Sequence, residues 1–341
     1  MFKKYLDKVV AGKHLSVEEM EQAMSAIMEG KVSDTQLAGF LVGLRMKNEA
    51  IEEITGAAKV MRDKALTVDV DKENLIDTCG TGGDGSNSFN ISTTVAFVLA
   101  GAGLLVAKHG NRSVSSKSGS ADVLESLGVD LNLKPFQVEN CIKEVGIGFL
   151  FAPVFHKAMK YAIPARKELE VRTIFNILGP LTNPAAADYQ ILGVYDPDLI
   201  EPMAEVLRNL GVKRAMVVHG AGGLDEFSLM GENKVAYLNQ GKIDYLFISP
   251  EEFGLNKADV DAIKGGNSEE NSQIMLSIFK GDKGPKRDIV LFNAAAALKV
   301  AGQVNSFKEG IEKAGHIIDS GAALDKLQAL IDYTNSVEVV S

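Results

Sequence analysis

Leu75-Ile76-Asp77-Thr78-Cys79-Gly80-Thr81-Gly82-Gly83-Asp84-Gly85-Ser86-Asn87-Ser88, followed by the apolar run 93–102 and by Leu104-Leu105-Val106-Ala107, decides the fold. Residues 75–78 predict a short strand, 80–88 a glycine loop, 93–102 a helix and 104–107 a second strand. A strand, a crossover helix and another strand make the unit of a parallel sheet. Outward from this unit, Ser120 is predicted to cap a helix running through Leu127, and strands are predicted over 147–151, 190–195 and 215–219. Two further runs, 234–238 and 243–248, joined by Asn239-Gln240-Gly241, read as a hairpin. The fold class is therefore α/β, with a largely parallel, mixed sheet and an antiparallel edge. Residues 172–184, with Gly179, Pro180 and Pro184, interrupt the alternation and are a candidate crossing between lobes.

The first 65 or so residues read as helices only. Ser16-Val17-Glu18-Glu19 is a capping box, and Met20, Ala23, Met24, Ile27 and Met28 follow at helical spacing until Gly30. Ser33-Asp34-Thr35-Gln36 is a second box, opening a helix with Leu37, Phe40, Leu41 and Leu44 on one face. A third helix carries Ile51, Ile54, Ala58 and Met61. Three short helices make a thin bundle, so its apolar faces are expected to pack on the rest of the chain or on another subunit.

A length of 341 residues predicts two domains. With 46% hydrophobic and 24% charged residues the chain is globular, and 36 Lys and Arg against 45 Asp and Glu leave a net charge of −9. That balance argues against nucleic acid or an anionic membrane as the main partner. The most apolar stretch, 95–107, is shorter than the roughly 20 residues of a membrane span. Lys3, Lys4, Asp7 and Lys8 leave no apolar core for a signal peptide. Two distant cysteines, Cys79 and Cys141, fit a reducing cytoplasm and give no zinc motif.

Glycines between a strand and a helix let backbone N–H groups approach a phosphate. The spelling Gly80-Thr81-Gly82-Gly83-Asp84-Gly85 also satisfies a dinucleotide fingerprint, but the next strand ends in Lys108-His109 and lacks the ribose-binding acid. No Gly-Lys-Ser/Thr follows, which excludes a P-loop. Alone, the loop is also compatible with a tight turn that binds nothing. Residues 87–94 place six polar side chains in eight positions at a helix start, more than capping requires. Residues 108–120 hold Lys108, Arg112, Lys117, His109 and five serines without one acid, a local anion site in an acidic chain. Asp225-Glu226, after the turn Gly220-Ala221-Gly222-Gly223, is a candidate Mg²⁺ pair. His156, Lys160, Arg166 and Arg172 lie in a stretch bounded by prolines, where Arg166 suits a carboxylate.

Taken together, Gly80–Asp84, Lys108–Arg112, Ser118-Gly119-Ser120-Ala121-Asp122, Arg172-Thr173-Ile174-Phe175-Asn176, Gly179–Pro184, Leu224-Asp225-Glu226 and Asn293-Ala294-Ala295-Ala296-Ala297-Leu298 closely resemble the anthranilate phosphoribosyltransferases of tryptophan biosynthesis. Two departures stand out: Glu170 where the pattern has Gly, and Gly222 where it has Asp. The resemblance implies a cytoplasmic homodimer with the fold shared by pyrimidine nucleoside phosphorylases. Its small helical domain, residues 1–70, is completed by about 170–185, and residues 71–341 form the α/β domain. It implies transfer of a phosphoribosyl group from 5-phosphoribosyl 1-diphosphate to anthranilate. Gly80, Gly83, Asp84, Ser88, Asn90, Ile91, Ser92, Thr93, Lys108, His109, Gly110, Asn111, Arg112, Ser113, Val114, Ser115, Ser116 and Ser120 would bind the donor. Gly80, Asn111 and Arg166 would contact anthranilate, with His109 nearby; Lys108 and Arg166 carry the catalytic roles. Ser92 with Glu226 would hold one Mg²⁺, and Asp225 with Glu226 a second. A phosphorylase of the same fold would have little use for Asp225-Glu226, and a nucleic-acid-binding relative would conflict with the charge of −9.

Overall fold

A computed structural model describes residues 2–113 and 117–337, so Val114, Ser115 and Ser116 of the expected donor loop lie outside the described residues. The N-terminal part contains α1 (Lys3–Val10), α2 (Val17–Met28), α3 (Asp34–Lys47) and α4 (Ile51–Asp63). The chain continues through β1 (Leu75–Gly80), α5 (Ile91–Gly101), β2 (Leu105–Gly110), α6 (Ser120–Ser126), α7 (Pro135–Val145), β3 (Ile147–Phe151), α8 (Ala152–Phe155), α9 (Ile163–Leu169) and α10 (Phe175–Leu178). There follow β4 (Tyr189–Gly193), α11 (Ile200–Asn209), β5 (Arg214–His219), β6 (Asn233–Asn239), β7 (Lys242–Ile248), α12 (Ser268–Phe279), α13 (Pro285–Val300), α14 (Phe307–Asp319) and α15 (Ala322–Ser336).

The strands form one sheet in the order β3-β2-β1-β4-β5-β6-β7. The five from β3 to β5 pair in parallel, and β6 and β7 close the edge antiparallel, as the apolar runs predict. Strand alternation divides the interior in two. Ile76, Val106, Ile191, Met216 and Val218 face α5, α13, α14 and α15. Leu192, Val194, Ala215, Val217, Ala236 and Leu238 face the other way, in a continuous core with Met24, Phe40, Leu41 and Ile54 of the N-terminal helices. Residues Ala162, Ala165, Ile174, Phe175, Ile177, Leu178 and Leu181 join that second core, so the chain itself covers much of the thin bundle.

Three details correct the sequence reading. The bundle has four helices, because α1 also folds: Phe2, Tyr5 and Val9 are buried, with Phe2 edge-on to Phe40 at 5.2 Å, while Lys3, Lys4 and Asp7 face solvent. The box at Ser16 closes in both directions, but Ser33 only accepts the Gln36 N–H, at 3.3 Å. Helix α6 is capped at Gly119, whose N–H donates to Asp122 at 2.8 Å, and Ser120 is its first residue, its hydroxyl turned to the Asn111 carbonyl at 3.4 Å. Among the described residues no helix is long and apolar enough to cross a membrane. Cys79 and Cys141 are buried and free of any disulfide.

Candidate active site

The C-terminal ends of the parallel strands carry the polar loops, where open α/β sheets bind ligands. The glycine loop leaves β1 anchored to β4: Thr81 N–H donates to the Gly193 carbonyl at 2.9 Å, and Thr81 Oγ1 accepts the Tyr195 N–H at 3.1 Å. Gly82, Gly83 and Gly85 have φ of 69°, 75° and 75°, the left-handed region that a side chain disfavours. This winding turns Gly82 N–H onto Asp225 Oδ2 at 2.7 Å, and Asp84 Oδ2 accepts the Asp225 N–H at 3.3 Å.

Helix α5 begins at the same place, and none of its polar residues caps it. Asn90, the cap position, instead donates to the Ser118 carbonyl at 3.2 Å and accepts from Asn271 at 2.9 Å. The helix-end N–H of Ser92 goes to Glu226 Oε1 at 3.1 Å, a carboxylate 134 residues away. Thr78 Oγ1 donates to the Ser92 carbonyl at 3.0 Å. Lys108, 3% exposed, donates through Nζ to the Thr78 carbonyl at 2.6 Å and to Ser92 Oγ at 3.3 Å.

Gly80, Asp84, Ser92, Lys108, Asp225 and Glu226 thus converge on one spot. Their electrostatics are unbalanced. Burial, then the neighbouring Asp84, pushes Asp225 up to about 7, against the Gly82 N–H. Burial, then Asp225, pushes Glu226 up to about 8, against Lys108 and the Ser92 N–H. Burial lowers Lys108, with Asp77, Cys79 and Glu226 opposing it. Crowded carboxylates that hold protons near neutrality are a site for a hard cation.

The second loop is arranged differently from a free cluster of cations. Arg112 makes a two-pronged contact with Glu125, at 2.7 and 2.8 Å, reaches Asp122 at 3.2 Å and lies over the Phe151 ring at 5.6 Å. Ser113 N–H also donates to Asp122, at 2.9 Å. The acids that balance Arg112 come from α6, just beyond the acid-free window. Gly110 is a close approach, since a Cβ there would meet the Phe149 ring at 2.9 Å. Ser88 bridges to Lys264.

On the opposite face of the sheet, the His109 and His156 rings lie 5.0 Å apart, and burial pushes them down to about 3 and about 4, so both are neutral near pH 7. Arg166 on α9 is half-buried, its guanidinium 5.2 Å from the Phe175 ring centroid, and among the described residues its side chain forms no hydrogen bond or ion pair. Burial lowers its pKa. Asn183 donates to the Ala107 carbonyl at 2.7 Å and Gln190 to the Pro180 carbonyl at 2.6 Å, fixing the 179–184 crossing against β2 and β4.

Sequence reasoning gave Arg172 no place in the site. Its guanidinium donates to the Gly83 carbonyl and stacks on Tyr195 at 4.0 Å, so the segment after α9 closes on the glycine loop. The available signal was its position in a proline-bounded basic stretch; the contact itself joins residues 89 apart.

Residues 3–65 match the helical bundle domain of the glycosyl transferase family, and residues 72–324 match its a/b domain. The class is therefore that of two-domain glycosyltransferases. The chain is 62% identical over 335 residues to the anthranilate phosphoribosyltransferase of Petrotoga mobilis, spanning 98% of this chain and 97% of that one. The enzyme of the same name from Thermus thermophilus superposes with a TM-score of 0.93 at 45% identity, covering 97% of this chain and 99% of that one. The Saccharomyces cerevisiae enzyme, solved in complex with PRPP and Mg, gives a TM-score of 0.91 at 30% identity, covering 98% of each chain. This chain belongs to the anthranilate phosphoribosyltransferase family.

Proposed function

We propose that Ser92, Asp225 and Glu226 hold Mg²⁺ and that Arg166 holds anthranilate in the phosphoribosyl transfer performed by this family. The reaction joins the anthranilate nitrogen to the ribose anomeric carbon and releases diphosphate. One observation carries the assignment: Asp84, Asp225 and Glu226 crowd one another at a helix start, where the Lys108 ammonium sits beside Glu226 and Ser92. All their ligating atoms are oxygens, which fits Mg²⁺, an ion that takes one or two carboxylates and fills its shell with water and substrate phosphate. Among the described residues no group of three His, Cys, Asp or Glu side chains could hold an ion by itself, so this reading takes the remaining ligands from Ser92, water and the donor. Two ions per subunit, one on Ser92 and Glu226 and one on Asp225 and Glu226, are part of this reading. Bound there, the metal supplies positive charge to the departing diphosphate.

Lys108 adds a fixed cation at the same point, pinned by the Thr78 carbonyl so that it needs no rearrangement as negative charge develops. The glycine loop offers a concave run of backbone to the phosphates. Gly80, Gly83, Asp84, Ser88, Asn90, Ile91, Ser92 and Thr93, the described part of residues 108–116, and Ser120 form the donor site in this reading. Arg166, unpaired among the described residues and on a ring face, is free to clamp the anthranilate carboxylate with two parallel hydrogen bonds. Gly80 and Asn111 complete the acceptor site. Neutral His109 and His156 wall it without adding charge. The nucleophile is a weak aromatic amine, so orientation is the main contribution the acceptor residues make.

The reading includes a homodimer through the helical part, the division into residues 1–70 and 71–341 with about 170–185 completing the former, and a cytoplasmic location. Exposed Val10, Met46, Ile163 and Val171 support the dimer, as does an open cleft of about 500 Å³ lined by Val42, Met46, Leu169 and Val171 with Arg45 and Arg172. The joint core of the helices with Ile174–Leu181 residues supports the division, and two buried free thiols support the location. The test is diphosphate release from phosphoribosyl diphosphate with Mg²⁺, read alongside loss of anthranilate fluorescence where anthranilate is the acceptor. Activity is expected with anthranilate and absent with aniline, which has no carboxylate. Equal turnover of aniline, or turnover in excess chelator, would remove the acceptor or metal assignment.

A further inference from the structure

The segment that delivers Asp225 and Glu226 is neither helix nor extended strand, and among the described residues its one ladder contact is the isolated bridge between Gly220 and Leu224. Backbone outside a ladder needs other partners for its N–H and C=O groups. On one side the segment lies flush on glycines: a Cβ at Gly193 would overlap the Asp225 carbonyl, and one at Gly220 the Glu226 carbonyl. On the other side stands Asn293 of α13, 2% exposed. Its Oδ1 accepts the Phe227 N–H at 2.9 Å, and its Nδ2 donates to the Phe227 carbonyl at 2.8 Å and to the Ile289 carbonyl at 2.9 Å. One carboxamide thereby does what a neighbouring strand would do, at the residue directly after Glu226. The Phe227 ring, fully buried, packs edge-on against Phe292 at 5.3 Å and Phe307 at 5.8 Å.

The same helix packs on α5, which carries Ser92. Ala294, Ala295, Ala296 and Ala297, all fully buried, let α13 lie close. Helix α13 therefore sets both partners of the contact between Ser92 N–H and Glu226. We infer that Asn293 is a positioning residue for the carboxylate pair: it fixes the backbone that aims Asp225 and Glu226 at the metal and the donor. This rests on the metal assignment made above. Only an amide supplies one acceptor and two donors here; aspartate would set a carboxylate against the Phe227 and Ile289 carbonyls.

The test titrates Mn²⁺, counted by its electron paramagnetic resonance signal, into enzyme holding phosphoribosyl diphosphate without anthranilate. Asn293→Ala, Asn293→Ser and Glu226→Gln are compared with the unmodified chain, with melting temperatures recorded. Outer partners of metal ligands are worth about 10- to 100-fold in metal affinity. Asn293→Ala is expected to weaken Mn²⁺ on that scale, with the KM for anthranilate unchanged, and Asn293→Ser, which keeps a hydroxyl, to lose less. Glu226→Gln is the control for the underlying assignment. If it leaves Mn²⁺ binding intact, the metal site itself is misplaced. If it abolishes binding while both Asn293 variants bind Mn²⁺ normally, the positioning role falls. Failure of both Asn293 variants to fold would assign the residue to the fold and overturn the inference equally.

Discussion

Lowering the pH should loosen the metal faster than one titrating group allows, and the structure sets how much. Asp225 and Glu226 hold protons up to about 7 and about 8, against ordinary values of 3.8 and 4.5. A divalent ion that binds both carboxylates must displace those protons. From pH 8 to pH 6 the two losses multiply to a fall in apparent affinity of about 10²- to 10³-fold, with between one and two protons released near pH 7. Calorimetric titration of Mg²⁺ in buffers of different ionisation enthalpy counts the protons, and subtracting the same titration of free phosphoribosyl diphosphate removes those of the donor itself. The same groups affect folding. Their native pKa values are raised, so their favourable contribution to the metal-free protein is complete below the unfolded values of about 4 and is lost as pH rises through about 7 and 8. Mg²⁺ should therefore restore thermal stability most at the alkaline end. A metal affinity flat between pH 6 and 8, with no proton release, would refute the crowded-carboxylate account.

Arg166→Ala should raise the KM for anthranilate by about 10- to 150-fold, the scale of one charged hydrogen-bonded partner, and leave the donor KM nearly unchanged in the fluorescence assay. A rise in the donor KM alone would move the acceptor site elsewhere. Glu170 ends α9 with φ 49° and ψ 24°, so Glu170→Gly relieves about 1–2 kcal/mol of left-handed strain. The freer unfolded chain returns about 0.4–1 kcal/mol of this, and over 341 residues the net melting temperature should rise by about 1 °C in calorimetry. An unchanged or lower value would mean that Glu170 makes a compensating contact. Light scattering at micromolar concentration should give a dimer, and Met46→Lys, on a side chain 82% exposed, should shift it toward monomer; a monomer that retains full activity would count against the helical interface.

The strands were legible because each is a short apolar run ended by glycine or a charged turn, and the hairpin because Asn239-Gln240-Gly241 spaces two such runs. Helix α1 was not: an eight-residue helix with two buried side chains, Tyr5 and Val9, gives too few repeats to stand out from its charges. Ser120 was chosen as a cap on residue type alone, whereas the backbone places Gly119 there and lets Asp122 reach back. In the site, the glycine loop, Lys108 and Asp225-Glu226 were visible because each is local. What the sequence did not display are contacts between distant segments: Arg172 on Gly83, Glu226 on Ser92, and Asn293 on Phe227. Arg112 shows the converse, since an acid-free window marked it as a free cation while Glu125, five residues past Ser120, neutralises it.

The two cysteines matter to the experimenter more than to the fold. Burial, with Asp77 beside it, pushes the Cys79 thiol well above its ordinary value, and burial pushes Cys141 up to about 12. Neither offers a thiolate to a labelling reagent. The wild-type chain is thus already a blank background for site-directed probes. One cysteine at exposed Asp63 and another at exposed Lys242 would accept a dye pair without removing any native cysteine. The distance between the dyes then reports in real time whether the helical part and the sheet move together when each substrate arrives.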